Sequence, residues 1–209
     1  MKIYDVKQGT PEWLALRVGK LTGSKLKDVM MKDNLGLIDE MIAESGCGFF
    51  ETSFVSYDMQ VGIEREPIAR ELYSAHTGNI VNEVGFIVSD KHDFIGCSPD
   101  GIIYNDLNPG NERTYGALEI KCPRPKTHCK YIRMNCIPNE YKYQVMNYFL
   151  CVEELEWLDF VSFNPDFKPQ PLFIFRIYRS ELKDELISLE ADILKFWDKL
   201  NKYKSQILF

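Results

Sequence analysis

The sequence predicts an α/β (α+β) fold, a central mixed β-sheet flanked by α-helices, built as a single domain over residues 1–209. The order of the segments predicts it first. Segments with helix-cap signals open the chain, a block of β-branched, alternating segments follows, and then a helix, two strands and a last helix, which places helices on the faces of a mixed sheet. Composition agrees, because 45% hydrophobic and 13% aromatic residues in 209 can bury one sizeable core. No internal repeat, low-complexity tract or long linker divides the chain.

The elements follow in order. Thr10-Pro11-Glu12 has the order of an N-cap, a first-turn proline and a dipole-favoured acid, so a helix is expected to about Val18, ended by Gly19. Further helices are expected from Thr22-Gly23-Ser24, from near Gly36, and from about Ser56 to His76, the last stopped at Thr77-Gly78. Pro67 disfavours a helical Glu66 and removes a backbone donor, so a kink or a helix start is expected there. The pattern then alternates: Ile80–Ser89, Phe94–Cys97, Gly101–Tyr104 and Ala117–Cys122 are expected strands, with a turn over Asn105–Asn111 around Pro109-Gly110. Pro138 opens a helix through Cys151, and strands follow at Leu158–Phe163 and Leu172–Tyr178. A helix after Ser180 sets Leu182, Leu186, Leu189, Ile193, Trp197 and Leu200 on one apolar face.

Several classes of function are disfavoured. The apolar runs fall short of the roughly 20 residues of a spanning helix, and Met1–Asp5 lacks the order of a signal peptide, so a cytoplasmic protein without membrane association is expected. The cysteines, Cys47, Cys97, Cys122, Cys129, Cys136 and Cys151, contain no Cys-x-x-Cys pair and are expected as free thiols. Cys122, His128 and Cys129 match no zinc spacing. The net charge of -6 would repel phosphates on average. Between Lys121 and Arg133, however, the chain carries Lys121, Arg124, Lys126, Lys130 and Arg133 and no acid, a pattern of either a solvated face or a phosphate track.

The chemistry concentrates in Leu118-Glu119-Ile120-Lys121. Strand side chains alternate, so Leu118 and Ile120 face the core while Glu119 and Lys121 share the other face, roughly 7 Å apart. If a hairpin returns Asp100 beside Glu119, two carboxylates and an ammonium converge, a costly arrangement unless a proton or cation lies between them. Oxygen ligands without histidine select a hard ion such as Mg²⁺ or Mn²⁺. Such an ion polarises a phosphoryl oxygen and acidifies a water, which the lysine can orient or deprotonate, so the expected activity is phosphodiester hydrolysis.

Ser98-Pro99-Asp100-Gly101 followed by Leu118-Glu119-Ile120-Lys121-Cys122-Pro123 resembles the lambda-type phage alkaline exonucleases of the PD-(D/E)xK nuclease superfamily. The similarity extends to Trp13–Ser24, Gly62–Glu66 and Tyr141–Val145, covering about residues 8 to 150 in matching order. The resemblance implies a restriction-endonuclease-like core and a Mg²⁺-dependent 5′→3′ exonuclease that digests one strand of linear double-stranded DNA to mononucleotides and prefers 5′-phosphorylated ends. Carried over by position, Asp100, Glu119 and the Ile120 carbonyl would ligate two Mg²⁺ ions, with Mn²⁺ able to substitute. Glu66 would serve the second ion and Lys121 would position the nucleophilic water.

Arg17, Ser24, Ser98 and Gln144 match the family's pocket for the terminal phosphate, and Met146 stands where some members have a second glutamine. Anion binding suits Ser24 at an expected helix start and Arg17 as a charged donor. The resemblance further implies a ring-shaped homotrimer with a basic central channel and a single-strand annealing protein as partner in phage recombination. The alternatives are an endonuclease or single-strand nuclease on the same core, and a non-catalytic DNA-binding subunit. An iron–sulfur nuclease is disfavoured because no cysteine follows Cys151.

Overall fold

A computed structural model describes residues 1–49, 56–105 and 114–208. Beyond Asn105, the expected turn over Asn105–Asn111 lies outside the described residues. The elements in order are β1 (Lys2–Tyr4), α1 (Pro11–Arg17), α2 (Gly23–Val29), α3 (Leu35–Cys47), α4 (Tyr57–Thr77), β2 (Val81–Asn82), β3 (Phe86–Val88), β4 (Gly96–Cys97), β5 (Gly101–Asn105), β6 (Thr114–Lys121), α5 (Pro125–Met134), α6 (Lys142–Cys151), β7 (Leu155–Phe163), β8 (Leu172–Tyr178) and α7 (Lys183–Ile207).

The expected mixed sheet is present, with order β2-β5-β6-β7-β8. Its pairs are antiparallel except β6 with β7, which run parallel. A second sheet, β1-β3-β4, is antiparallel. This corrects the single strand expected over Ile80–Ser89: the chain leaves one sheet at Asn82 and enters the other at Phe86. At the crossing, Gly85 lies so close to the main chain of Val6 that an added Cβ would fall 2.0 Å from its carbonyl oxygen. Strand β1, the start of β7 at Leu155 and the whole of α5 extend the expected elements.

Local signals explain the helices around the site. The Thr10 hydroxyl caps α1 by accepting the Trp13 N–H at 3.4 Å, and the Ser56 hydroxyl caps α4 by accepting the Met59 N–H at 3.2 Å. Gly78, at φ +75°, closes α4 in the left-handed conformation. No helix starts at Pro67, and α4 runs through it. An internal proline costs about 3 kcal/mol. Two capped ends and the burial of Ala69 and Tyr73 against the sheet offset that cost.

Two apolar clusters sandwich the large sheet. The larger joins Leu26, Ile38, Val145, Phe149, Leu158 and Ile193 from the helices and one sheet face. The smaller places Ala69 and Tyr73 of α4 over Leu118, Ile120, Trp157 and Val161. On α7, Phe196 is buried on the apolar face, while Trp197 stacks on Phe94 with ring centroids 4.1 Å apart. Tyr73 also donates to the buried Asp159 at 2.6 Å, and Arg176 meets the same carboxylate at 2.7 and 2.8 Å, so α4 is tied to the sheet by polar bonds as well.

Candidate active site

Backbone register brings the sequence-distant acids together. Gly101 of β5 pairs with Leu118 of β6, so Asp100, one residue earlier, lies across from Glu119. The Asp100 N–H donates to the Leu118 carbonyl at 2.9 Å, and its Oδ2 accepts the Ile120 N–H at 2.6 Å. Leu118 and Ile120 pack beneath α4. Glu119 does not open toward solvent on the other face: it is 1% exposed, covered by α6. There the Tyr148 hydroxyl donates to its Oε2, while Gln144 Nε2 at 2.8 Å and the Lys121 ammonium meet Oε1.

Helix α4 supplies the third carboxylate. Glu66 pairs with Arg70 one turn on, and Arg70 also donates from Nε to the Asp100 carbonyl at 3.0 Å and meets Glu83 at 3.0 Å. Two adjoining hollows, of about 580 and 420 Å³, share Glu66 and Ile63; Asp100 and Trp13 line the first, Ile120 and Lys121 the second.

The electrostatics follow from that crowding. Burial and the neighbouring Glu119 push the Asp100 carboxyl well above the usual carboxylate range, with Lys121 and the Ile120 N–H opposing. Burial likewise raises Glu66 against the pull of Arg70 and Lys121. For Lys121, with 26% of its side chain exposed, burial works to lower the pKa, but Glu119 and Asp100 outweigh it and the net shift is upward. The ammonium therefore stays charged in this arrangement, which favours orienting a water over taking its proton. Burial, Glu66 and Asp100 push the Cys122 thiol up to about 12, so it is a poor nucleophile and a poor metal ligand.

Glu66, Asp100, Glu119 and the Ile120 carbonyl make an all-oxygen donor set, which suits a hard divalent cation. Among the described residues they do not form a ready-made three-ligand group. Coordination would require Glu119 to exchange the Lys121 ammonium, and Glu66 the Arg70 guanidinium, for the ion.

Arg17, Ser24, Ser98 and Gln144 are joined by contacts. Arg17 lies over the Trp13 ring at 4.1 Å and reaches the Thr22 hydroxyl at 3.5 Å, and that hydroxyl is 3.2 Å from the Ser24 hydroxyl. The Trp13 indole N–H donates to the Ser98 hydroxyl at 2.9 Å. An added Cβ on Gly23 would fall 2.9 Å from Gln144 Cγ, which shows how closely α2 approaches α6. Burial lowers the Arg17 pKa, and among the described residues no carboxylate pairs with it. A desolvated cation with no direct ion pair, and of the carboxylates only the more distant Glu44 acting on it, is well suited to receive an anion. Met146 is buried in the larger apolar cluster and adds no polar group.

Trp13, Thr22, Arg70 and Tyr148 belong to this constellation without having been singled out as site residues. The spacing of Arg70 from Glu66, one helical turn, could have suggested it. Tyr148 lies one turn from Gln144 and Trp13 one turn from Arg17, so helical spacing could have suggested them too, whereas their contacts with Glu119 and Ser98 arise only through tertiary packing.

The model of the YqaJ-like viral recombinase domain matches residues 12–153. The chain is 34% identical to LHK-Exo in a crystal structure with dAMP, covering 95% of this chain and 96% of that one, with a TM-score of 0.81. A second structure of that alkaline exonuclease, from Laribacter hongkongensis, is 32% identical over 94% and 97% of the two chains, with a TM-score of 0.78. A phage-related exonuclease from Haemophilus somnus 129PT, 17% identical over 88% and 96% with a TM-score of 0.55, shares the fold. An uncharacterised protein, R354 of Acanthamoeba polyphaga mimivirus, is 31% identical over 170 residues, and the match spans 77% of this chain but 30% of that protein's length.

Proposed function

We propose, on the premise that the chain belongs to the YqaJ-like viral recombinase family, that it is a Mg²⁺-dependent 5′→3′ exonuclease degrading one strand of linear double-stranded DNA to mononucleotides, with preference for 5′-phosphorylated ends. One observation carries this proposal. Asp100 lies across from Glu119, with Lys121 and Glu66 at the same cleft, and Gln144 links that cleft to the cluster around Arg17.

Asp100, Glu119, Glu66 and the Ile120 carbonyl would hold the divalent ions, which supply Lewis-acid polarisation of the phosphoryl oxygen and a water of lowered pKa. Lys121 would orient that water. Arg17, Ser24, Ser98 and Gln144, with Thr22 and Trp13 as supports, would seat the terminal phosphate and set the first phosphodiester beside the carboxylates. Fixing an end at a set distance from the reacting bond releases one nucleotide per cycle. The crystallised complex of LHK-Exo with dAMP supports this reading, since dAMP is a nucleotide of the kind released.

Assembly as a ring-shaped homotrimer and work beside a single-strand annealing protein belong to the same proposal. A basic channel inside an acidic exterior would reconcile the net charge of -6 with a DNA substrate. None of the described helices is long and apolar enough to cross a membrane.

The test is end-labelled linear duplex, with and without a 5′-phosphate, incubated with Mg²⁺ or chelator beside a covalently closed circle. Metal-dependent release of mononucleotides from the 5′ end is expected, with the circle intact and Lys121→Ala inactive but still DNA-binding. Cutting of the circle, or wild-type turnover by Lys121→Ala, would refute it.

A further inference from the structure

The basic segment after the catalytic strand folds as α5, and its two faces differ sharply. His128 is fully buried, with Nδ1 2.7 Å from the Ser162 hydroxyl and Nε2 2.8 Å from the Gln170 carbonyl oxygen. Tyr131 is 2% exposed, packs edge-on against Phe160 and donates to Glu140 at 3.0 Å. Those anchors fix the rotation of the helix. Lys126, Lys130 and Arg133, at helical steps of four and three, consequently share the exposed face.

Among the described residues none of these three cations has an ion-pair or hydrogen-bond partner. From Lys126 to Arg133 the face spans about 10 Å, close to the rise of three base pairs of duplex. The hollow beside Lys121 shares Asp58, Cys122, Pro123 and Tyr141 with a further hollow of about 360 Å³, lined also by Arg124, Pro125 and Thr127 at the start of α5. The acids that line this second hollow are already paired with cations, Asp58 with Arg124 at 2.9 Å and Asp166 with Arg65 at 3.0 Å.

We infer that the exposed face of α5 is a track for the phosphate backbone of duplex DNA, in which Lys126, Lys130 and Arg133 hold the substrate beyond the cleft of Lys121. The inference rests on the nuclease function proposed above and extends it to how the duplex is retained. A nucleic acid is favoured over an acidic protein because α5 begins at the hollow that adjoins the cleft, and its exposed cations span a length that matches successive backbone phosphates.

The test uses the full chain with Lys126→Ala, Lys130→Ala and Arg133→Ala combined, all exposed positions. Affinity for a 5′-phosphorylated duplex is measured with Ca²⁺ from about 50 to 200 mM KCl, the range over which phosphate contacts are strongly screened. Each lost contact lowers the slope of log affinity against log salt by about 0.9, so a reduction of about 2.7 is expected, and across that range the wild type should lose about 40-fold more affinity than the variant. Mg²⁺-dependent release of the first nucleotide from the same duplex, at saturating concentration and low salt, should be unchanged. An unchanged slope overturns the track, as does an unchanged slope with lost binding of polyglutamate, which would give the face to an acidic protein. Failure of the wild type to cleave the duplex strikes the proposed activity instead, because the binding slope is read independently of it.

Discussion

Tyr148→Phe is the most informative single change at the site. The hydroxyl donates to Glu119 Oε2, accepts from Gln144 Nε2 at 3.0 Å, and sits on a residue 2% exposed. Phenylalanine fills the same space, so the change removes a bond without opening a substantial cavity. It leaves one oxygen of a buried carboxylate without its donor. A hydrogen bond to a charged group contributes about 1.5–3 kcal/mol. In a chain of this size each kcal/mol moves the unfolding midpoint by about 2–4 °C, so a fall of about 3–12 °C is expected. The same loss frees Glu119 to rotate, and removing an outer partner of a metal-binding carboxylate typically costs about 10–100-fold in metal affinity. Calorimetric unfolding in chelator gives the first quantity, and the Mg²⁺ concentration for half-maximal duplex hydrolysis gives the second. If neither moves, Tyr148 does not hold Glu119 and the account of how the carboxylate is aimed is wrong.

Asp100→Asn should abolish hydrolysis yet stabilise the metal-free protein at neutral pH. The folded-state pKa of Asp100 is raised, so its stabilising contribution is complete below the ordinary carboxylate range and is lost as pH rises through the raised value. The asparagine oxygen can still accept the Ile120 N–H, and urea midpoints in chelator at mildly acidic and neutral pH would overturn the reasoning if the variant were the less stable at neutral pH. Arg17→Ala should reduce the preference for phosphorylated over hydroxyl ends by roughly 10–100-fold, the worth of a charged hydrogen bond; an unchanged ratio of initial rates removes Arg17 from the pocket. Gly116→Ala would set a Cβ 2.1 Å from the Trp157 ring, an overpacking that costs about 1–3 kcal/mol, and an unaltered thermal midpoint would show that Trp157 has room to move.

What the sequence made legible was local and periodic. The alternation in Leu118–Lys121 placed Glu119 and Lys121 on a strand, and the antiparallel pairing expected to return Asp100 beside Glu119 is present. Caps at Thr10 and Ser56 and the stop at Gly78 are short-range signals that survive in the fold. The failures have a common physical cause, namely decisions made by distant partners. Residues 81–88 keep a strand-like pattern through Asn82 and Phe86, and only pairing with β5 on one side and β1 on the other divides them between sheets. Pro67 has a strong local preference that the packing of Ala69 and Tyr73 overrides. Helix α5 was masked by its charges, since His128 and Tyr131 are poor markers of an apolar stripe although both are buried. Tyr148 reaches Glu119, and Arg70 the Asp100 main-chain carbonyl, across helix-to-strand gaps that no spacing rule encodes.

The near-collision of Gly23 with Gln144 limits how this protein can drift. A methyl group at 23 would intrude on the amide side chain, and shortening that amide would release its hold on Glu119. Position 23 is crowded by the main chain of Gln144 as well as its side chain, and position 144 is held by its bond to Glu119, so laboratory libraries that randomise either should return the parental residue.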